Sequence, residues 1–248
     1  MIQFFRRLRR QLLSENRFSK YLIYAIGEIV LVMIGILLAL QVNNWNNRKQ
    51  ELKKERAYLK EIRDNLISDT LQINNALSFN RIKSSAIDSC FIELADPNNP
   101  GNRMAAIGTR LSVIGSYSFF EPNDMGFGTM MSADNIALLQ NDTIRKQLSV
   151  YYNYDYKGTS QKRTVDVTRN FIDYVDPLLA TRERYKRVRN VDLEIPSYND
   201  IDIYKDPKVY SLLDLIAITI LYQDGLLNAK KEEVNALITA ITNELETE

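Results

Sequence analysis

Residues 21–42 read YLIYAIGEIVLVMIGILLALQV, and every other expectation for this chain is organised around them. All twenty-two are apolar or small except Glu28 and Gln41. As a helix the segment spans about 33 Å, close to the hydrocarbon thickness of a bilayer. A cleaved signal peptide is the competing reading, because basic residues precede the run. Signal sequences have a shorter apolar core that ends in a small-x-small site, however, and this run leaves through Leu40-Gln41-Val42-Asn43-Asn44. The segment is therefore expected to be a retained anchor. Tyr21 and Tyr24 on one side and Trp45 on the other suit the aromatic belts at headgroup level.

Orientation does not follow from counting charges. Residues 1–20 hold six Lys or Arg and residues 44–63 hold seven, so the two flanks nearly tie. A large domain is translocated with little regard to its charge, whereas carrying the clustered Arg6, Arg7, Arg9 and Arg10 outward opposes the membrane potential. The expected arrangement is a cytoplasmic amino terminus and a periplasmic carboxy-terminal part, on the inner membrane. Within the tail, Phe5, Leu8 and Leu12 recur at helical spacing with Arg6, Arg7 and Arg10 on the other side, which predicts a basic amphipathic helix on a lipid surface.

Within the anchor, Tyr24, Glu28, Val32, Gly35 and Ala39 share one stripe. A carboxyl group facing lipid is costly and small residues permit close approach, so the stripe is read as a helix-helix contact. The plainer reading places Glu28 in the headgroup region or keeps it protonated.

The rest of the chain is read as helical. Leu52, Leu59, Leu66 and Ile73 repeat every seven residues with Ile62 between them, as the seam of a stalk or bundle requires, and Asp69 interrupts that seam. Such a seam serves either a self-associating stalk or one helix of an intrachain bundle. Asp96-Pro97 through Pro100-Gly101 should end the helix. Residues 103–128 are glycine-rich and aromatic and read as an ordered loop rather than short strands. Ser132-Ala133-Asp134 is expected to open a short helix, Asn141-Asp142 to cap another, and helical pattern to continue to about Arg189 with a break near Pro177. Tyr151, Tyr152, Tyr154 and Tyr156 are expected to divide between core and rim, with a binding surface as the alternative. The run SLLDLIAITILY, residues 211–222, is apolar on nearly every side and too short to span a bilayer; it reads as a central buried helix, bent at Asp224-Gly225.

The chemistry of the chain is narrow. Histidine is absent, and Cys90 is the single cysteine, read as a small buried apolar residue. Ser-His-Asp and Cys-His catalysis and His-based zinc or haem sites are excluded, and no cofactor or metal is expected. Asn199-Asp200-Ile201-Asp202 resembles a calcium loop only faintly. The net charge of +1 implies no polyanionic partner, nucleic acid included.

FFRRLRRQLLSENRFSKYLIYAIGEIVLVMIGILLALQVNNWN, residues 4–46, together with Phe120 to Tyr152, whose end reads Ile144-Arg145, Leu148 and Tyr151-Tyr152, resembles an uncharacterised family of single-pass membrane proteins from Bacteroidota. That resemblance implies a cell-envelope protein and no particular activity. The expected architecture is all-α: a basic tail (1–20), a transmembrane helix (21–43), a stalk or first bundle helix (44–96), and the remaining periplasmic helical domain (97–248). The function expected is that of a non-enzymatic accessory or scaffolding subunit, bound to membrane lipids and to a partner or second copy through the anchor and stalk. A periplasmic ligand-sensing domain that signals through a separate partner is the alternative.

Overall fold

A computed structural model describes residues 18–96, 100–197 and 203–247, and the described residues are all-helical, with seven α-helices and no strand. The basic tail, with Arg6, Arg7, Arg9 and Arg10, lies outside them, as does the Asn199–Asp202 segment. Helix α1 runs Phe18–Ala95, followed by α2 (Pro100–Ile114), α3 (Met125–Ser132), α4 (Asp142–Tyr152), α5 (Ser160–Leu178), α6 (Arg182–Arg189) and α7 (Pro207–Glu246). The chain divides into two compact units, residues 1–56 and 57–248.

In the first unit no part of the apolar window of α1 is buried, and mean hydropathy there reaches 2.4. The second unit is built on a repeat. From Leu59, the buried positions of α1 step by three and four residues without a gap: Leu59, Ile62, Leu66, Asp69, Ile73, Ala76, Asn80, Lys83, Ile87, Cys90 and Leu94. Helix α7 answers with Val209, Leu213, Ile216, Ile220, Gln223, Leu227, Lys230, Val234, Leu237 and Ile241. Alternating steps of three and four keep one stripe of a helix facing its neighbours. The two rows run antiparallel: Leu59–Ala76 share a core with Leu227–Ile241, and Ile87–Leu94 share another with Val209–Ile220.

Helix ends follow local chemistry. Asn141 caps α4, its Oδ1 accepting from the Thr143 and Ile144 amides at 3.1 and 3.2 Å. Asp206 caps α7, where Pro207 occupies the first turn. Pro177 stands in the last turn of α5, and the chain breaks at Leu179–Thr181 before α6. Gly115 follows α2 where a Cβ would collide with Ile172 of α5.

Several expectations change. Residues 103–114, read as part of a loop, belong to α2, which Pro100-Gly101, read as a turn, opens; the pattern Ile107, Leu111, Ile114 is helical and packs on the second core. Ser132 ends α3 instead of opening a helix, and Asp134 turns the chain with φ of 54° into a short 3-10 turn, Ile136–Leu138. Helix α4 stops at Tyr152, so Tyr154 and Tyr156 lie in a connection and not in a continuing helix. The 211–222 run belongs to a 40-residue helix that continues through Asp224-Gly225; that helix is long and apolar enough, by length and composition, to cross a membrane. It is not buried all round: Leu213, Ile216, Thr219 and Ile220 face the core, while Leu221 is 71% exposed and Tyr222 63%.

Candidate functional site

The two apolar cores of the second unit are separated by a polar layer. Asn80 and Lys83 on α1, Gln161, Thr164 and Thr168 on α5, and Thr219 and Gln223 on α7 are all buried there. Buried polar groups persist only where hydrogen bonds replace water, and here four of those bonds reach one irregular strap, residues 116–124. Lys83 Nζ donates to the Ser116 carbonyl at 2.8 Å and to Thr168 Oγ1 at 2.7 Å. Gln223 Nε2 donates to the Ser118 carbonyl at 2.9 Å. Gln161 takes the Phe120 amide at 2.8 Å on its Oε1 and gives its Nε2 to the Phe120 carbonyl at 3.0 Å. Asn80 Nδ2 ties the layer to α7 through Gln223 Oε1 at 3.3 Å and Asp224 Oδ1 at 2.8 Å.

The far end of the strap is held by α1 again. Asp69 Oδ1 accepts the Asn123 amide at 2.8 Å, Asp69 Oδ2 accepts the Tyr151 hydroxyl at 2.9 Å, and Asn65 Oδ1 accepts the Gly126 amide at 2.9 Å. Asp69 thus occupies the seam that it was expected to interrupt, because the strap and α4 bring donors to it. Burial pushes its carboxyl up to about 6, against the opposing pull of the Asn123 and Tyr151 hydrogen bonds. Burial lowers the Lys83 ammonium to about 8. Both charges are costly to keep, and both hold the same strap.

The tyrosine cluster divides between core and rim. Tyr151 and Tyr156 are buried, and the Tyr156 hydroxyl donates to the Tyr151 carbonyl at 3.1 Å. Tyr152 stacks on Phe127 with ring centroids 4.8 Å apart. Tyr154 is partly exposed, with the Lys230 ammonium 3.8 Å from its ring centroid. Beside them a cleft of about 180 Å³ is lined by Glu121, Asp124, Tyr152, Tyr154, Asp155 and Lys157, among others. Among the described residues no group of three or more metal-binding side chains converges.

The residues singled out from the sequence fall into separate places. Leu59, Ile62, Leu66 and Ile73 of the proposed stalk seam are buried in the first core of the second unit, so this chain's own helices fill that face; Leu52 is half-buried in the first unit. In the anchor stripe Val32, Gly35 and Ala39 are exposed, a Cβ on Gly35 would meet nothing within 4 Å, and Glu28 is half-buried. The Tyr24 side chain lies outside the described ones. Cys90 is buried, as expected of a small apolar residue, and that burial pushes its thiol up to about 11. Sequence reading missed Lys83, Asn80, Gln161 and Gln223. Their one visible signal was that polar residues occupy seam positions of a three-four repeat.

The chain belongs to DUF6090, a family of unknown function, which matches residues 28–172. The match takes in most of α1, the strap and α4, and stops within α5. No curated protein and no solved structure matches the chain.

Proposed function

We propose that this protein is a single-pass inner-membrane protein with its amino terminus in the cytoplasm and its helical domain in the periplasm, acting as a non-enzymatic accessory or scaffolding subunit of an envelope complex. The observation that carries this reading is the uncovered apolar length of α1. Ile23, Leu31, Leu38 and their neighbours are exposed over more than five turns, and water is a poor solvent for such a surface. A bilayer supplies the missing solvent, and a helix satisfies its own backbone there. The stripe of Val32, Gly35 and Ala39 beside Glu28 then offers a second helix a close approach. Outside the bilayer, Ile218, Leu221 and Tyr222 on the outer face of α7 add an apolar patch suited to a protein partner.

Alkaline carbonate extraction with protease protection tests the placement: the chain stays in the pellet and its domain is digested only from the periplasmic side. Blue-native electrophoresis after gentle solubilisation tests the role, with migration above the monomer expected. Release by carbonate, or a strictly monomeric and partnerless chain, overturns it. A ligand-sensing domain is the second reading, favoured by the cleft at Tyr152–Lys157 next to the doubly held strap. Thermal-shift screening of the solubilised full chain against envelope metabolites distinguishes it by a ligand-dependent rise in melting temperature.

A further inference from the structure

Just beyond the exposed apolar length, one side of α1 carries basic side chains and no acidic one. At about 100° per residue, Trp45, Lys49, Lys53 and Arg56 fall within about 80° of one another with no acidic residue among them, while Glu51 and Glu55 lie at least about 80° from each of them, on a side that also carries Arg48 and Lys54. Trp45 is 67% exposed, Lys49 and Lys53 are exposed, and the Lys49 ammonium stands 5.6 Å from the centre of the Trp45 ring. A solvated face with no task would mix the signs, since Lys–Glu pairs at i,i+4 stabilise a helix and like charges oppose it. Here Lys49 and Lys53 are four residues apart with the same sign.

Depth makes the arrangement specific. The Lys49 Cα lies about 10 Å past Val42 along the helix, and side chains lean toward the amino terminus, so its stem returns the ammonium to within about 5 Å of the hydrocarbon edge. The headgroup layer is about that thick on each side of the bilayer. Trp45 sits in the same layer, as an interfacial tryptophan does. Lys53, one turn farther out, meets the same headgroup from its water side. An acidic protein segment would satisfy the charges equally, but it would not explain an exposed indole at this depth under the first ammonium.

We propose that the Trp45–Lys49–Lys53 face is a binding site for the phosphodiester headgroup of an anionic phospholipid. The inference rests on the membrane placement proposed above and extends it from a general solvent to one chemical class of lipid. Trp45 is the only tryptophan of the chain, so its fluorescence reports this site alone.

The full-length chain is reconstituted in phosphatidylcholine vesicles in which a small mole fraction of either brominated phosphatidylglycerol or brominated phosphatidylcholine quenches Trp45. Selective binding makes the brominated phosphatidylglycerol the better quencher at equal mole fraction, corresponding to about fivefold tighter association for each basic side chain engaged. Added salt should shrink that preference. Lys49→Gln combined with Lys53→Gln should abolish it while leaving quenching by brominated phosphatidylcholine intact. Equal quenching by the two lipids in the unmodified chain overturns the headgroup site and leaves the membrane placement standing. Absence of quenching by either lipid overturns the placement itself. A preference that survives the double substitution overturns the assignment to these lysines.

Discussion

Residues 22–42 and residues 59–94 belong to the same helix and obey opposite rules of burial. In the first stretch large apolar side chains such as Ile23, Leu31 and Leu38 are exposed. In the second, Asp69, Asn80 and Lys83 are buried among isoleucines and leucines. Hydrophobicity alone would have placed them the other way round. The difference is in what surrounds each stretch. Six shorter or later helices of this chain include the partners that cover the second stretch and supply it with hydrogen bonds, whereas the apolar window of the first is left uncovered among the described residues. Burial is thus a property of the neighbourhood, and a polar side chain at a seam position marks where a backbone segment crosses.

The largest test of this contrast is to make the first stretch behave like the second. Placing lysine at both Ile34 and Leu37 should cost about 5–7 kcal/mol of membrane insertion, read as loss of the chain from the carbonate pellet. If the double variant remains fully membrane-bound, the exposed length of α1 is not held by lipid. In the second stretch, Ile73→Ala or Phe171→Ala removes fully buried side chains and should destabilise the domain by about 2–5 kcal/mol, measured by urea unfolding of the solubilised full chain followed by circular dichroism. A loss below about 1 kcal/mol would mean that the seams are not close-packed.

The buried charges sharpen the comparison through pH. Lys83 has a folded value of about 8 against an ordinary 10.5, so folding favours its neutral form. Stability should therefore rise as pH increases from about 8 to about 10.5, by up to about 3 kcal/mol. Asp69, at about 6 against 3.8, also favours its neutral form, and stability should fall by a similar amount as pH rises from about 4 to about 6. Lys83→Met should flatten the alkaline limb and Asp69→Asn the acidic one, each without touching the other. Urea midpoints across the two ranges check both, and an unchanged slope in either variant shows that the group is not desolvated as described. The smallest effect is expected at the outer face of α7. Leu221→Ser should change stability by less than about 0.5 kcal/mol yet reduce any partner-dependent shift on blue-native gels if that patch is a contact.

How much was readable beforehand depended on whether a residue's role was local. The cap at Asn141 and the all-helical class follow from short-range rules, and both are present in the structure. Helix α2 reads as a loop because Gly108 interrupts and Gly115 follows an otherwise ordinary Ile107, Leu111, Ile114 pattern, and local propensity is weak against tertiary packing. The strap site was out of reach for a different reason. Gln161 lies 41 positions from Phe120, and Lys83 lies 85 from Thr168, so no spacing rule connects them. The exposed side of the 211–222 run is not legible in the sequence, because a twelve-residue run with nine apolar side chains reads as a core helix even when only four of its residues are buried.

The amino-acid order by itself determines an apolar helix of membrane length, its flanking tryptophan and lysines, and the three-four repeat of α1 and α7, because those depend on side-chain chemistry and on the fixed pitch of a helix. Tertiary structure alone decided which polar residues of that repeat would be satisfied. Their partners are main-chain groups of a segment that reaches them only after the helices have packed, and a buried charge is tolerable only where such groups arrive.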